Sequence, residues 1–165
     1  MTDLPTYILD RTFDAPRELV WRTWTDATLL PRWYGPNVQT IIHRLDVKAG
    51  GEWITEMKCG EHSSFQIMKY TEVKPLEKLV GLQSSTDADE NIIPSPMMKD
   101  WPKVLLTRVT FEEMRDGKTQ MRLTWVPHEA TDAEIACFTA AIDGMGKGWN
   151  AGMELLGNLL HELQQ

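Results

Sequence analysis

The chain opens on Thr6–Phe13 (TYILDRTF), a run rich in β-formers that stops before Asp14-Ala15-Pro16 and reads as a strand. Pro16 suits the first turn of a helix. Leu19, Val20 and Trp24 follow at helical spacing and predict a short amphipathic helix over Pro16–Trp24. A second short helix is expected over Ala27–Trp33, ended by Gly35-Pro36. From Val38 the hydrophobic period becomes two. Val38–Val47, Glu52–Lys58, Ser63–Lys74, Lys78–Ser85, Lys103–Met114 and Lys118–Val126 each read as strands. Their separators are short and turn-like, so neighbouring strands form antiparallel hairpins. Ser84–Pro102 is the exception. It carries Asp87, Asp89, Asn91, Pro94, Pro96 and Pro102 and reads as a long loop of the lid or binding type. The last third returns to helical period. Thr131 and Glu134 form a capping box, and Ile135, Phe138, Ile142, Met145, Trp149, Met153, Leu156 and Leu160 draw one apolar stripe. Gly144, Gly146 and Gly148 predict a kink or break within it. The order is strand, two small helices, six strands and a long helix. It predicts an α+β domain over 1–165, an antiparallel sheet of about seven strands with the helix on one face.

Composition narrows the picture. A chain of 165 residues suits one domain and can bury roughly two-thirds of its unfolded surface without disulfides or metals. Lys plus Arg is 17 and Asp plus Glu is 24, a formal charge of -7 that argues against a nucleic-acid partner. Cys59 and Cys137 lie far apart with no Cys-x-x-Cys pairing, and no histidine spacing suits a metal. Both cysteines are expected to be reduced, buried small hydrophobes. No metal or cofactor is predicted: the Gly50-Gly51 pair reads as a turn, since no Lys-Ser/Thr follows it. Met1-Thr2-Asp3-Leu4-Pro5 has neither a basic nor an apolar signal region, and no apolar run could span a bilayer. The expected location is the cytoplasm. The unusual feature is seven Trp against four Phe and three Tyr.

Four stretches are similar to a known family: Pro16-x-x-x-Val20-Trp21-x-x-Trp24-Thr25-Asp26; Trp33-Tyr34-Gly35-Pro36; Asp46-Val47-Lys48-Ala49-Gly50-Gly51-Glu52-Trp53; and Met145-x-x-Gly148-Trp149. The third stands where that family has Asp-x-Arg-Pro-Gly-Gly-x-Trp/Phe, with Lys48 and Ala49 replacing Arg-Pro. From about Tyr7 to Leu163 the chain resembles the START-like (SRPBCC) superfamily, in the branch of the C-terminal domain of the heat-shock-protein-ninety ATPase activator. The resemblance implies a helix-grip fold: a curved sheet wrapped around the C-terminal helix, with a cavity between them that in relatives binds lipids, hormones or polyketides. The branch name adds a possible chaperone partner and an association with stress response.

Strand phase then names candidate lining residues for a hydrophobic small molecule. Trp53, Thr55 and Met57 share one face of their strand, opposite Ile54 and Glu56, and Phe65 and Ile67 are expected to join them. Val109 with Leu105, Thr107 and Phe111, and Leu123 with Met121 and Trp125, form two further inward sets. Phe138, Ile142, Met145, Trp149 and Met153 close the space from the helix, and Trp101 is the rim or lid candidate. The plainer account of these side chains is a close-packed core. Trp33-Tyr34-Gly35-Pro36 is expected to cap the core rather than to gate it.

Three functions follow in order. The first is a binding protein for an apolar, aromatic or polyketide-like ligand. The second is a cyclase or hydrolase in the same cavity, which needs an acid/base pair there; His43, Lys69 and Arg108 are the residues considered, with Glu52 and Glu56 expected to face water. The third is a chaperone cofactor. Only about six residues precede the first strand, where the named co-chaperone has an additional domain. An exposed strand edge would support a homodimer.

Overall fold

The computed structural model describes residues 4–96 and 98–165. Met1, Thr2 and Asp3, read above for an export signal, and Met97 of the long loop lie outside the described residues. In chain order the elements are β1 (Tyr7–Phe13), α1 (Arg17–Thr25), a 3-10 turn (Leu30–Arg32), β2 (Gln39–Leu45), β3 (Glu52–Cys59), β4 (His62–Lys74), β5 (Lys78–Thr86), β6 (Leu105–Glu113), β7 (Thr119–Pro127) and α2 (Asp132–Leu163). The strands make one antiparallel sheet in the order β1-β7-β6-β5-β4-β3-β2. Hairpin neighbours are sheet neighbours throughout, and only β1 is carried across to β7.

Pro16 stands just before α1 in extended conformation, and the helix begins at Arg17. The expected helix over Ala27–Trp33 is only a 3-10 turn, because Pro31 lies within it and Asp26 already binds the Thr28 amide. At the Gly50-Gly51 turn a side chain on Gly51 would lie 2.0 Å from the Asp46 carbonyl oxygen, so only glycine closes it. The capping box of α2 forms in both directions, Glu134 N to Thr131 Oγ1 at 3.1 Å and Thr131 N to Glu134 Oε1 at 2.9 Å. The helix then runs 32 residues without the break expected at its glycines. Cys59 is exposed and Cys137 half-buried, and the two are unpaired. Cys59 is the last residue of β3, beside the Gly60-Glu61 turn, and this explains why it is not the buried hydrophobe expected.

The sheet's concave face holds the core. Its inward rows include Tyr7, Leu9 and Phe13 of β1, Leu105, Val109 and Phe111 of β6, and Met121 and Leu123 of β7, all buried. Against them pack α1, the 3-10 turn and the C-terminal half of α2. Trp24 lies 4.7 Å from Trp33 and Trp21 lies 5.5 Å from Phe111, both edge-on. Trp33 Nε1 donates to the Thr23 carbonyl at 2.8 Å, so the indole is buried with its polar atom satisfied. Leu156 and Leu160 close this end from the helix.

The opposite, convex face is not simply wet. Ile54 is 5% and Ile67 3% exposed there. The turn after β5, tied by Asp87 N to Asn91 O at 3.0 Å, curls over this face, and Glu90 reaches Arg44 at 3.2 Å. Its cover buries apolar residues on the convex phase of β3 and β4 as well as on the concave one.

Candidate functional site

Register decides which of those phases faces the helix. The two-residue turn Gly60-Glu61 sets Cys59 opposite His62, and therefore Met57 opposite Ser64, Thr55 opposite Gln66 and Trp53 opposite Met68. Phe65 and Ile67 pair with Glu56 and Ile54 instead. They lie on the convex face, and their expected place in the lining is overturned. Gln66 takes it.

Between α2 and the sheet, at the end away from Leu156, the two layers separate. A groove of about 560 Å³ opens there. Tyr34, Gly35 and Pro36 form one wall, and Gly144, Met145, Gly148 and Trp149 of α2 the other. Trp125 and Gln66 form the floor, and Met98 comes from the long loop. The aromatics support one another edge-on: Trp125 to Trp149 at 5.3 Å, Tyr34 to Trp149 at 6.3 Å and Tyr34 to Trp53 at 5.0 Å. Side chains added at Gly144 and Gly148 would meet nothing within 4 Å. Glycine at these positions therefore leaves the groove its width. At Gly35 the backbone has φ +78, and a Cβ would press on Thr40 Oγ1 at 2.6 Å, so this wall is fixed by glycine for a different reason.

Polar groups in the floor are few and neutral. Tyr34 Oη donates to Gln66 Oε1 at 3.2 Å, Gln83 Nε2 donates to the same oxygen at 3.3 Å, and Thr107 Oγ1 donates to Gln83 Oε1 at 3.3 Å. Burial pushes the Tyr34 hydroxyl up to about 12, offset only in part by the Gln83 amide beside it. The indole N–H groups of Trp53 and Trp125 are buried without a partner among the described residues. A smaller cavity of about 120 Å³ adjoins, lined by Gln66, Gln83, Ser95, Trp101 and Trp125 among others.

The predicted lining residues thus divide. Trp125, Met145 and Trp149 line the groove. Trp53 stands behind Tyr34, next to a void of about 10 Å³. Trp101 borders the smaller cavity, its ring 5.4 Å from Phe138. Val109, Leu123, Phe138 and Met153 are buried core, Ile142 packs on that core, and Met57 is half-buried on β3. For the first five of these the close-packed reading fits, whereas the Met57 methyl lies close to Gly35 of the groove wall. Tyr34, Gly35, Pro36, Gln66, Gln83 and the helix glycines are what sequence reasoning missed. Trp33 packs in the core and also borders the groove, and the three residues after it form the groove's wall. The signal for Gln66 was present: a two-residue hairpin at Gly60-Glu61 fixes the register and sets Gln66 beside Thr55.

None of the acid/base candidates reaches the groove. Lys69 and Arg108 are exposed on the convex face. His43 sits at an irregularity of β2, and its Nε2 lies 2.8 Å from Glu56 Oε1 on that same convex face. Glu56 points away from the groove as expected, yet it is buried rather than wet, covered by Ser63, His43 and the Asp87 turn. Among the described residues no three His, Cys, Asp or Glu gather to hold a metal, and no helix is long and apolar enough to cross a membrane.

Comparison with known proteins places this geometry. Residues 14–161 match the family described as Activator of Hsp90 ATPase homolog 1-like protein. No curated protein matches the chain. Among solved structures, a Staphylococcus epidermidis protein superposes with a TM-score of 0.79 at 22% identity, over 98% of this chain and 93% of its own. Protein Ms6760 of Mycobacterium smegmatis gives 0.76 at 21% identity, over 96% of both chains. DynU16, from the dynemicin biosynthetic locus, gives 0.63 at 17% identity, over 94% of this chain and 47% of its own. At such identities the likeness is one of fold.

Proposed function

The chain belongs to the Activator of Hsp90 ATPase homolog 1-like family, of helix-grip fold, and on that premise we propose that it binds a hydrophobic small molecule in the groove between α2 and the sheet. One observation carries this reading: a groove of about 560 Å³ whose described lining is aromatic, thioether, glycine, proline and amide, with no charged side chain. Concave, mainly apolar sites with a few placed polar groups are the usual form of a small-molecule site. Methionine and edge-on tryptophans adapt to flat, irregular ligands such as aromatics or polyketides. The same lining speaks against the cyclase or hydrolase reading. Its one titratable group, Tyr34, is held protonated up to about pH 12, far from the range where a general acid or base works. A chaperone-cofactor role rests on the family description alone and ranks second, since a shared fold carries many functions.

Titration of tryptophan fluorescence with a lipid, a flavonoid and a polyketide, supported by native mass spectrometry, is the test. Saturable binding of at least one, weakened about tenfold or more when Gly148→Leu fills the groove, is expected. Saturable binding that Gly148→Leu leaves unchanged, or no binding to any of them, sinks the proposal.

A further inference from the structure

The groove has a chemically distinct end. Gln66 and Trp125 line both the larger groove and the adjoining cavity of about 120 Å³, so these two side chains border both spaces. The junction is polar on a particular pattern. Gln66 Oε1 already receives two donors, the Tyr34 hydroxyl at 3.2 Å and the Gln83 amide at 3.3 Å. A carbonyl oxygen has two lone pairs, so its accepting capacity is filled. The carboxamide Nε2 is what remains. Trp125 lines the same two spaces, and its indole offers one N–H, can accept nothing, and is buried with no partner among the described residues. The junction therefore presents donors. It presents no cation: Lys, Arg and His are missing from the described lining of both cavities.

We infer that the ligand is a neutral molecule with a flat apolar body in the groove and a hydrogen-bond acceptor, of the ketone, ester or amide carbonyl class, seated between Gln66 and Trp125. The inference rests on the binding reading above and adds the ligand's chemistry to it. An unpaired buried N–H is unfavourable, and an acceptor that reaches it recovers that loss. A hydrocarbon of the same shape leaves the N–H unpaired. A carboxylate is an acceptor too, but it would bring a charge into a site with no counter-ion, on a chain whose net charge is already -7.

Three naphthalenes of matched shape separate these cases: 2-acetylnaphthalene, 2-ethylnaphthalene and 2-naphthoate, titrated into the full chain at neutral pH. The ketone is expected to bind about tenfold tighter than the hydrocarbon, and tighter than the carboxylate by at least that factor. In Trp125→Phe and in Gln83→Leu the ketone-to-hydrocarbon ratio is expected to fall to within about threefold, whatever happens to absolute affinity. Equal binding of ketone and hydrocarbon by the unaltered chain, or tightest binding of the carboxylate, overturns the inference and leaves the apolar groove standing. A ratio unmoved in both variants also overturns it. Failure of all three to bind removes the binding reading itself and this inference with it. The unaltered chain decides the main comparison, so a variant that does not fold leaves the test intact.

Discussion

Glu56 shows how much one side chain's neighbours decide. Strand alternation correctly sends it to the face opposite Trp53, but alternation says nothing of what covers that face. In the fold Ser63 Oγ donates to Glu56 Oε2 at 2.7 Å and His43 Nε2 lies 2.8 Å from Oε1. The Ser63 hydrogen bond first, and the His43 contact after it, hold the carboxyl below its ordinary value of 4.5. A lowered folded value means the carboxylate stabilises the fold. That contribution is present above about pH 4.5 and is lost as pH falls through the folded value. Ser63→Ala is therefore expected to be less stable than the unaltered chain at pH 7, with the gap closing below pH 4.5. Urea denaturation at a series of pH values measures this, and a gap that stays constant with pH would contradict it. Thr119 is a second case. It is 0% exposed, and its hydroxyl donates to the Ala15 carbonyl at 2.8 Å. Thr119→Val keeps the shape, leaves that carbonyl unpaired, and should lower stability by about 1–3 kcal/mol in the same measurement.

At the scale of the element, α2 carries two opposed demands. Its start is locally encoded: Thr131 and Glu134 satisfy two otherwise free backbone donors. Thr131→Ala should lower stability by about 0.5–2 kcal/mol. Its middle departs from helix preference, with Gly144, Gly146 and Gly148 in a helix that nonetheless runs unbroken. Each glycine weakens a helix by roughly 0.5–1 kcal/mol relative to alanine. Nothing lies within 4 Å of an added Cβ at any of the three. Gly148→Ala is therefore expected to raise stability by about 0.5–1 kcal/mol while weakening ligand binding. Thermal melts and fluorescence titration on the same sample read the two effects. A loss of stability would mean that the glycine is needed by the backbone and not by the groove. The glycine cluster was legible as an anomaly of pattern. The sequence alone suggested a broken helix, because local propensity does not register the tertiary contacts that hold both halves on one sheet.

The whole molecule divides into a filled end and an open end of one helix-on-sheet layer. At the filled end Leu156 is 0% exposed against the α1 and β1 side chains, and Leu156→Ala should lower stability by about 2–5 kcal/mol. At the open end Met145 is only half-buried in the groove wall, and Met145→Ala should lower it by less than about 1.5 kcal/mol. Chemical denaturation of the pair checks the division, and comparable losses at both sites would refute it. The succession of elements, the hairpin connectivity, the cap of α2 and the inward phases of β6 and β7 all follow from local rules. Period, turn residues and side-chain shape act over a few positions, so a single sequence displays them. Two-sided burial of β3 and β4 does not follow from such rules. There apolar residues stand on both faces, and Ile54 and Ile67 are buried opposite Trp53 and Met68 only because the turn at Asp87–Asn91 folds over the convex face. The groove belongs to this second kind of fact. Its size is the distance by which α2 fails to touch the sheet, and no residue carries that distance in its own chemistry. The sequence by itself determined the layer, the helix and the tryptophans; the packing of all of them together decided which side chains, Tyr34, Gln66, Trp125, Met145 and Trp149 among them, were left facing open space.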